Sequence, residues 1–561
     1  MRLVLVLGCV GATLLAGWAQ APAPGLPGRA DGPALGSAAP AAGRQPEPKP
    51  AVCPFAEATI DDLQNRMRLG TLSSRELTAA YLQRIAEIDE GGPGLSAVLE
   101  INPDAMRLAA QSDWERQAGR VRGPLHGIPV LLKDNIATAD RMATTAGSLA
   151  LVGAWPARDA ALVARLREAG AVLLGKTNLS EWANFRSPAS LNGWSARRGL
   201  THNPYALDRS ASGSSSGSAV AVAANLCVVA VGTETDGSIM SPASVNGIVG
   251  IKPTVGLVSR AGLIPISRSQ DTAGPMARTV RDAALLLGVL AGPDREDAAT
   301  LRRPAGWAAD FSRPLAPGGL QGARLGVVRG PFGFHPRMQV LLTALVAELR
   351  AAGAELVDPV EFPAAAQLEQ AEEEVLLYEF KDGLNRYLAG LGRTSAVKSL
   401  ADVIAFNRRQ ADREMAYFGQ ELLERAQAQG PLTEPAYAAA RATCLRLART
   451  EGIDAVMAAH RLDALVAITN GPAWPSDPVN GDPFTGSSAT LAAVAGYPSV
   501  TVPATAVAGL PVGLSFFGRA WSEPALLRLA ADFEQRTRAR REPQFLPSGP
   551  SPEGPPAAPL R

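Results

Sequence analysis

The chain is 561 residues long, 47% hydrophobic and only 19% charged, which allows a large buried core and excludes an intrinsically disordered protein. Lys plus Arg total 54 and Asp plus Glu 53, so a formal net charge of +1 gives no global field to draw the chain onto nucleic acid. Glycine (55) and proline (45) are abundant, in part because both ends of the chain are rich in them.

Met1-Arg2-Leu3 sets a positive charge ahead of an apolar run that reaches Gly17-Trp18, and Ala19-Gln20-Ala21 offers the small-x-small pattern a signal peptidase accepts. Residues 1–21 are therefore expected to be a cleaved secretory signal. The protein would be exported, periplasmic or secreted from a bacterial cell, with no membrane attachment once the signal is removed. An uncleaved anchor and a lipoprotein site compete with this reading. The run is short for a span, and the lipobox-like Val6-Leu7-Gly8-Cys9 falls too early within it. Residues 22–52 are Pro, Ala and Gly with few apolar anchors, a flexible leader, and 545–561 are a Pro-rich tail. Cys53, Cys227 and Cys444 form no disulfide framework, although one bridge among them stays open.

Between these ends lies one continuous body, residues 53–544. Residues 60–88 have helical periodicity, and Gly127-Ile128-Pro129-Val130-Leu131-Leu132 is a short apolar strand. Residues 159–169 are helical and are stopped by Gly170, and the strand Ala171-Val172-Leu173-Leu174 follows. A small-residue helix at 218–224 runs into the strand 228–231. A later pair of strands covers 464–467 and 499–503, with a helix at 490–495 between them. Helices alternating with fully apolar strands predict an α/β fold: a central, mostly parallel mixed sheet covered by helices on both faces. Residues 325–455 are richer in charged helical pattern, with 367–377 and 411–427 as long candidates, and predict an additional helical layer.

Two motifs fail on context. Gly170-Ala171-Val172-Leu173-Leu174-Gly175-Lys176-Thr177 has the letters of a phosphate loop, but its four central residues are the apolar strand itself, so no free amides cradle an anion. Ser395-Ala396-Val397-Lys398 matches the S-x-x-K of penicillin-binding enzymes without a K-T-G partner and reads as a charged helix face. The four histidines, His126, His202, His335 and His460, do not pair at metal-ligand spacing, and no G-x-S-x-G elbow follows a strand. Neither a metal nor a cofactor is called for by any motif.

Ser212-Gly213-Ser214-Ser215-Ser216-Gly217-Ser218 reads in isolation as a flexible linker. It joins an apolar helix directly, however, and a second small-residue loop, Gly232-Thr233-Glu234-Thr235-Asp236-Gly237-Ser238-Ile239, leaves the next strand. Lys133 terminates an apolar strand, where desolvation would depress its pKa and make it a usable base.

Gly213-Ser214-Ser215, Gly217-Ser218-Ala219, Gly232-Thr233, Gly237-Ser238-Ile239 and Gly247-Ile248-Val249-Gly250-Ile251-Lys252-Pro253-Thr254 closely resemble the amidase signature. Gly127-Ile128-Pro129, Lys133-Asp134-Asn135, Gly175-Lys176-Thr177-Asn178 and Asp271-Thr272-Ala273-Gly274-Pro275 extend the match over roughly residues 55–540. The resemblance implies the amidase-signature fold and a serine amidase acting on linear amides. It implies Lys133 as base, Ser214 as bridging serine and Ser238 as nucleophile. The backbone N–H groups of Thr235, Asp236, Gly237 and Ser238 would form the oxyanion hole, with Ser215 supporting the loop and the lysine. Ser216 and Asp236 stand where many relatives have glycine, and Met240 where an arginine is frequent, which bears on specificity more than on activity.

The Thr-Glu-Thr-Asp-Gly-Ser-Ile form, residues 256–260 and 265–272, and Glu379 with 383–388 most resemble the peptide amidase branch of the family. That resemblance implies removal of the C-terminal amide of peptides with release of ammonia. The alternative is a general aliphatic or aryl amidase. A glutaminase subunit serving a tRNA-bound partner fits poorly with an export signal, and a binding protein without turnover fits poorly with an intact Lys133, Ser214 and Ser238. Trp474-Pro475, Asp477 and Phe484-Thr485-Gly486 are candidates to line the pocket or to pack as an ordinary loop.

Overall fold

The computed structural model describes residues 53–549, apart from 305–309, 314, 331–335, 363–364 and 393–394. The expected signal, the leader, His335 and the tail beyond residue 549 lie outside the described residues. The strands are β1 (Val98–Ile101), β2 (Pro129–Lys133), β3 (Val172–Thr177), β4 (Trp194–Ser195), β5 (Gly199–Leu200), β6 (Val229–Glu234) and β7 (Val249–Lys252). They continue as β8 (Thr272–Ala277), β9 (Arg324–Val328), β10 (Glu355–Val360), β11 (Ala464–Ile468), β12 (Ser499–Val507) and β13 (Leu510–Phe517). Eleven of them form one sheet in the order β1-β3-β2-β6-β8-β7-β12-β13-β11-β9-β10, and β4 and β5 form a separate small ribbon.

Every residue of β2, β3, β6, β7, β8, β11 and β13 is buried. Successive side chains on a strand point to opposite faces, so the sheet is covered on both faces, as expected. Helices Ser216–Ala223, Met240–Val245, Val280–Leu290 and Glu523–Thr537 pack against it. The sheet is mixed, but it is not mostly parallel. β2 runs parallel to β3 and β6, and β9 parallel to β10 and β11, while the other paired neighbours, β1 with β3 and the central run from β6 through β8, β7, β12 and β13 to β11, are antiparallel. Continuous apolar runs suggested parallel strands. Here they mark burial under helices on both sides, which antiparallel strands share when they are central.

The helical pattern over 60–88 resolves into Ile60–Arg68, Ser74–Arg84 and a wider turn Ile85–Glu90. The break comes at Gly70, whose φ of +71° ends the first helix, and at Ser73, which opens the second by a reciprocal cap with Glu76. Residues 325–455 begin with β9, the helix Pro336–Ala351 and β10, and are helical from there on. The expected helix at 367–377 is part of Ala365–Gly390, a run of 26 residues. Leu377, Phe380, Leu384 and Leu388 of that helix join one apolar cluster with helices Leu400–Arg409 and Glu421–Ala428, while Leu368, Ala371 and Val375 join another with Pro435–Leu445 and Thr490–Ala495. The pattern over 411–427 is interrupted between Ala411–Glu414 and Glu421–Ala428. Cys53, Cys227 and Cys444 are buried and free, so no bridge joins them.

The helix Ser216–Ala223 meets the sheet at Gly217. A Cβ there would lie 2.2 Å from the Ala97 carbonyl oxygen and 2.6 Å from that of Asn178, both backbone atoms that cannot swing aside. Gly217→Ala is therefore expected to destabilise the fold by about 1–3 kcal/mol. A urea-unfolding midpoint unchanged from the parent protein would contradict this close approach.

Candidate active site

β2 and β6 are parallel neighbours, with Val130 opposite Val229 and Leu132 opposite Val231, so both strands deliver their C-terminal ends to one edge of the sheet. Open α/β sheets hold their reactive groups at such edges. Lys133 is the last residue of β2 and fully buried, and its Nζ lies 2.7 Å from Ser214 Oγ, 3.1 Å from the Thr233 carbonyl oxygen and 3.0 Å from Thr233 Oγ1. Asn135 Nδ2 donates to the same Thr233 Oγ1 at 2.9 Å. Burial lowers the Lys133 pKa to about 7, against the opposing pull of Glu234 and Asp271. A neutral amine has two N–H donors and one lone pair. Three neighbours are in place for it: two Thr233 oxygens to receive the donors and one serine hydroxyl to donate to the lone pair.

Ser214 and Ser215 sit where the 212–215 turn enters the helix Ser216–Ala223, and the Gly213–Ser214 peptide bond is cis. Ser215 Oγ donates to the Thr233 carbonyl at 3.0 Å and accepts from Thr233 N at 3.2 Å, and Ser215 N donates to the Ser238 carbonyl at 3.1 Å. Ser215 thus ties the two small-residue loops together and meets Lys133 at a shared carbonyl. Ser216, the position where glycine is common, turns its hydroxyl onto the Ser212 carbonyl.

Leaving β6, the chain makes a turn through Thr235, Asp236, Gly237 and Ser238 into the helix Met240–Val245. Gly237 has φ +74°, a left-handed conformation that favours glycine, and Glu234 closes the turn. Its Oε2 accepts Ile239 N at 2.7 Å and Met240 N at 2.9 Å. Burial raises the Glu234 pKa, while the Lys252 charge and the amides of Met240, Ile239 and Gly237 pull it down. Thr235 Oγ1 donates to Asp271 Oδ1 at 2.6 Å, and Asp236 Oδ2 accepts from Thr490 Oγ1 at 2.8 Å. Burial pushes the Asp236 carboxyl up to about 7.

Thr235, Asp236, Gly237 and Ser238 all border a cavity of about 680 Å³. Lys133, Ser214 and Ser215 lie behind that surface, each fully buried, whereas Ser238 keeps 8% of its surface exposed. Of the loop residues expected as candidates, Trp474, Phe484 and Gly486 line the cavity. Asp477 instead accepts Val479 N, Asn480 N and Asn480 Nδ2 within its own turn. Ser395 of the S-x-x-K tetrad donates to its own Val397 carbonyl at 2.7 Å.

Several functional neighbours were not read from the sequence. Thr233 is the common partner of Lys133, Asn135 and Ser215. One cavity wall is the stretch Ala183–Phe185, entered through three consecutive left-handed residues, Trp182, Ala183 and Asn184, with φ of 51°, 53° and 73°. Strained backbone of this kind concentrates at ligand sites, yet no local residue pattern announces it. Another wall is Glu369 and Leu376 on the helix Ala365–Gly390. That helix is anchored by Glu379, which accepts from Ser267 Oγ (2.5 Å), Ser269 N (2.9 Å), Ser269 Oγ (2.5 Å) and Tyr437 OH (2.6 Å). Among the described residues, no group of three or more His, Cys, Asp or Glu side chains is arranged to hold a metal ion. Nor, among them, is any helix long and apolar enough to cross a membrane.

Residues 76–527 match the family model described as Amidase. The chain is 43% identical over 502 residues to a probable amidase of Arabidopsis thaliana, covering 87% of this chain and 92% of that protein. Among solved structures it is similar to the native peptide amidase from Stenotrophomonas maltophilia, with 58% identity, a TM-score of 0.84, and coverage of 88% of this chain and 100% of that one. It is also similar to an amidase family protein from Bacillus anthracis, with 37% identity, a TM-score of 0.79, and coverage of 87% and 93%. A strand-end lysine, a two-serine turn and a matched sequence spanning most of the chain lead to one conclusion: this protein belongs to the amidase-signature family of serine amide hydrolases.

Proposed function

We propose that the protein removes the C-terminal amide of peptide amides, releasing ammonia and leaving the rest of the chain uncut, with Ser238 as nucleophile. The observation that carries the chemistry is the buried Lys133 amine set 2.7 Å from Ser214 Oγ at the edge of a cavity bordered by Ser238. Neutral Lys133 accepts the Ser214 proton while Ser214 takes the Ser238 proton, and Ser238 Oγ attacks the amide carbon. The amides of Thr235, Asp236, Gly237 and Ser238 receive the negative charge that develops on the carbonyl oxygen. As the C–N bond breaks, the relay returns its proton to the leaving nitrogen. Water then attacks the acyl-Ser238 ester, giving its proton to the same relay, and the peptide acid is released.

The peptide substrate rests on two supports. One is the likeness to a peptide amidase along that protein's whole length. The other is a cavity whose volume suits a ligand larger than a simple amide, since pockets of roughly 300–1,000 Å³ hold drug-sized molecules.

Ser238→Ala is expected to abolish ammonia release with the melting temperature retained; full turnover in that variant would remove Ser238 from the mechanism. With Lys133 active as the neutral amine, kcat/KM should rise with pH through about 7, as the lysine loses its proton, and then level off. Asp236 titrates in the same range, so the profile should be repeated in Asp236→Asn: a limb that persists belongs to Lys133, and one that vanishes belongs to Asp236.

Glu234→Ala removes the carboxylate that closes the 234–240 turn and is expected to lower kcat by roughly tenfold to a hundredfold, more than it changes KM. Equal kcat in that variant would show that the turn holds itself. For the substrate, ammonia release and product mass should be measured on amidated peptides, their free acids, glutamine and simple amides. Turnover confined to small amides would replace the peptide reading with a general amidase.

A further inference from the structure

The charged side chains on the cavity wall are of one sign. Asp236, Glu369 and Asp482 line it, and among the described residues no lysine, arginine or histidine does. Two of these carboxylates already have donors from the protein. Asp236 accepts from Thr490 Oγ1 at 2.8 Å, and Asp482 Oδ2 accepts from Asn192 N at 2.8 Å and Asn192 Nδ2 at 2.6 Å. Glu369 differs: it is exposed and has no hydrogen bond or ion pair to any described residue, on a wall contributed by the helix Ala365–Gly390. It stands close enough to Asp236 and to the buried Glu372 for its charge to push both carboxyls toward the protonated form. Lys252, whose charge opposes the rise of the Asp236 pKa, is buried in β7 and also interacts with Glu234 and Glu523.

We propose that Glu369 is a specificity-determining residue of this cavity, selecting peptide amides that carry positive charge close to the amide and disfavouring those that carry a carboxylate. The inference rests on the cavity being the peptide-amide site described above, and it names the substrate class of that site. A cavity with low-dielectric walls and charge of one sign concentrates ligands of the opposite sign. Glu369 can pair with an incoming guanidinium or ammonium without giving up a partner of its own. The same field acts on the reaction's outcome, because hydrolysis converts a neutral amide into a carboxylate inside an acidic cavity. The product should therefore bind more weakly than the substrate it came from.

The test compares dipeptide amides with arginine, its neutral isostere citrulline, or glutamate before the amide, at pH 8 and low salt. Both kcat/KM for ammonia release and binding to Ser238→Ala by calorimetry are read. Arginine should be favoured over citrulline by roughly three- to tenfold, with glutamate poorest, and 0.5 M salt should shrink the ratios. Glu369→Gln should bring the arginine-to-citrulline ratio close to one, and Glu369→Lys should invert it. Both substitutions fall on an exposed helix position, and their melting temperatures show whether each variant is folded. An arginine-to-citrulline ratio near one in the unaltered protein, or one retained in Glu369→Gln, overturns the inference. If simple amides are hydrolysed and no peptide amide is, the proposed function falls, and the calorimetric ratio on Ser238→Ala still decides the charge preference. Absence of binding by either peptide overturns both.

Discussion

The site depends on a primary amine held at the end of a buried strand. Among the described residues no carboxylate is in hydrogen-bonding contact with Lys133; its partners are the neutral oxygens of Ser214 and Thr233. With burial opposing the charged form and Glu234 and Asp271 acting only at a distance, the amine loses its proton near neutrality instead of near the usual value for lysine. Everything around it serves to keep that balance. A carboxylate in direct contact would restore the charge and take away the lone pair. Open solvent would do the same. The central sheet, covered on both faces, supplies a dry place at which a strand can end on a lysine.

The second loop meets the opposite charge in the proposed reaction, in which its amides receive a developing negative charge. Glu234 lies behind the turn and spends one carboxylate oxygen on Ile239 N and Met240 N, amides just past the segment that faces the cavity. Thr235 and Asp236 are tied at their side chains, to Asp271 and Thr490. The backbone of 235–238 is thereby fixed from its flanks while its inner surface stays on the cavity. Preorganisation of this sort is what makes amide dipoles effective, since they need not reorient as charge appears.

Five strands of the sheet, β2, β3, β6, β11 and β12, were legible because a fully apolar run can only be buried, and Lys133 stood out because it ended one of them. β1, β7, β8, β9, β10 and β13 were not read as strands, and several of these break the apolar run with Glu100, Pro275 or Asp358. Direction was not legible. β12 and β13 join through the tight Ala508-Gly509 turn and must be antiparallel, yet their apolar content reads the same as that of β2 and β3. The break between the helices at 60–68 and 74–84 carried its signals openly, in Gly70 and in the Ser73–Glu76 pair, but the apolar spacing ran on across it. The cavity was the least legible part. Its walls come from 183–192, 369–376 and 474–490, and no residue in these stretches signals the others. Asn192 and Asp482 are joined by hydrogen bonds across a sequence separation of 290 residues. Trp474 and Phe484 could be nominated only as residues of a loop, and Asp477 beside them turned out to stabilise its own turn.

That contrast follows from how the two halves of the site are built. Of the groups proposed for the relay, Lys133 ends the buried strand β2, while Ser214 and Ser238 lie in turns that Ser215 ties to Thr233 of β6 and to each other. The cavity walls sit on loops and on the helix Ala365–Gly390, which is clamped to the sheet side through Glu379 on the 267–269 loop and through apolar contacts on two of its faces. A substitution on the cavity face of that helix, such as at 369 or 376, changes what the cavity admits without touching a strand or the Glu379 clamp. A substitution at 133, 214 or 233 alters the dry pocket itself. Chemistry and recognition thus rest on separate mechanical supports, so the fold can keep one reaction while the cavity is reshaped around different amides.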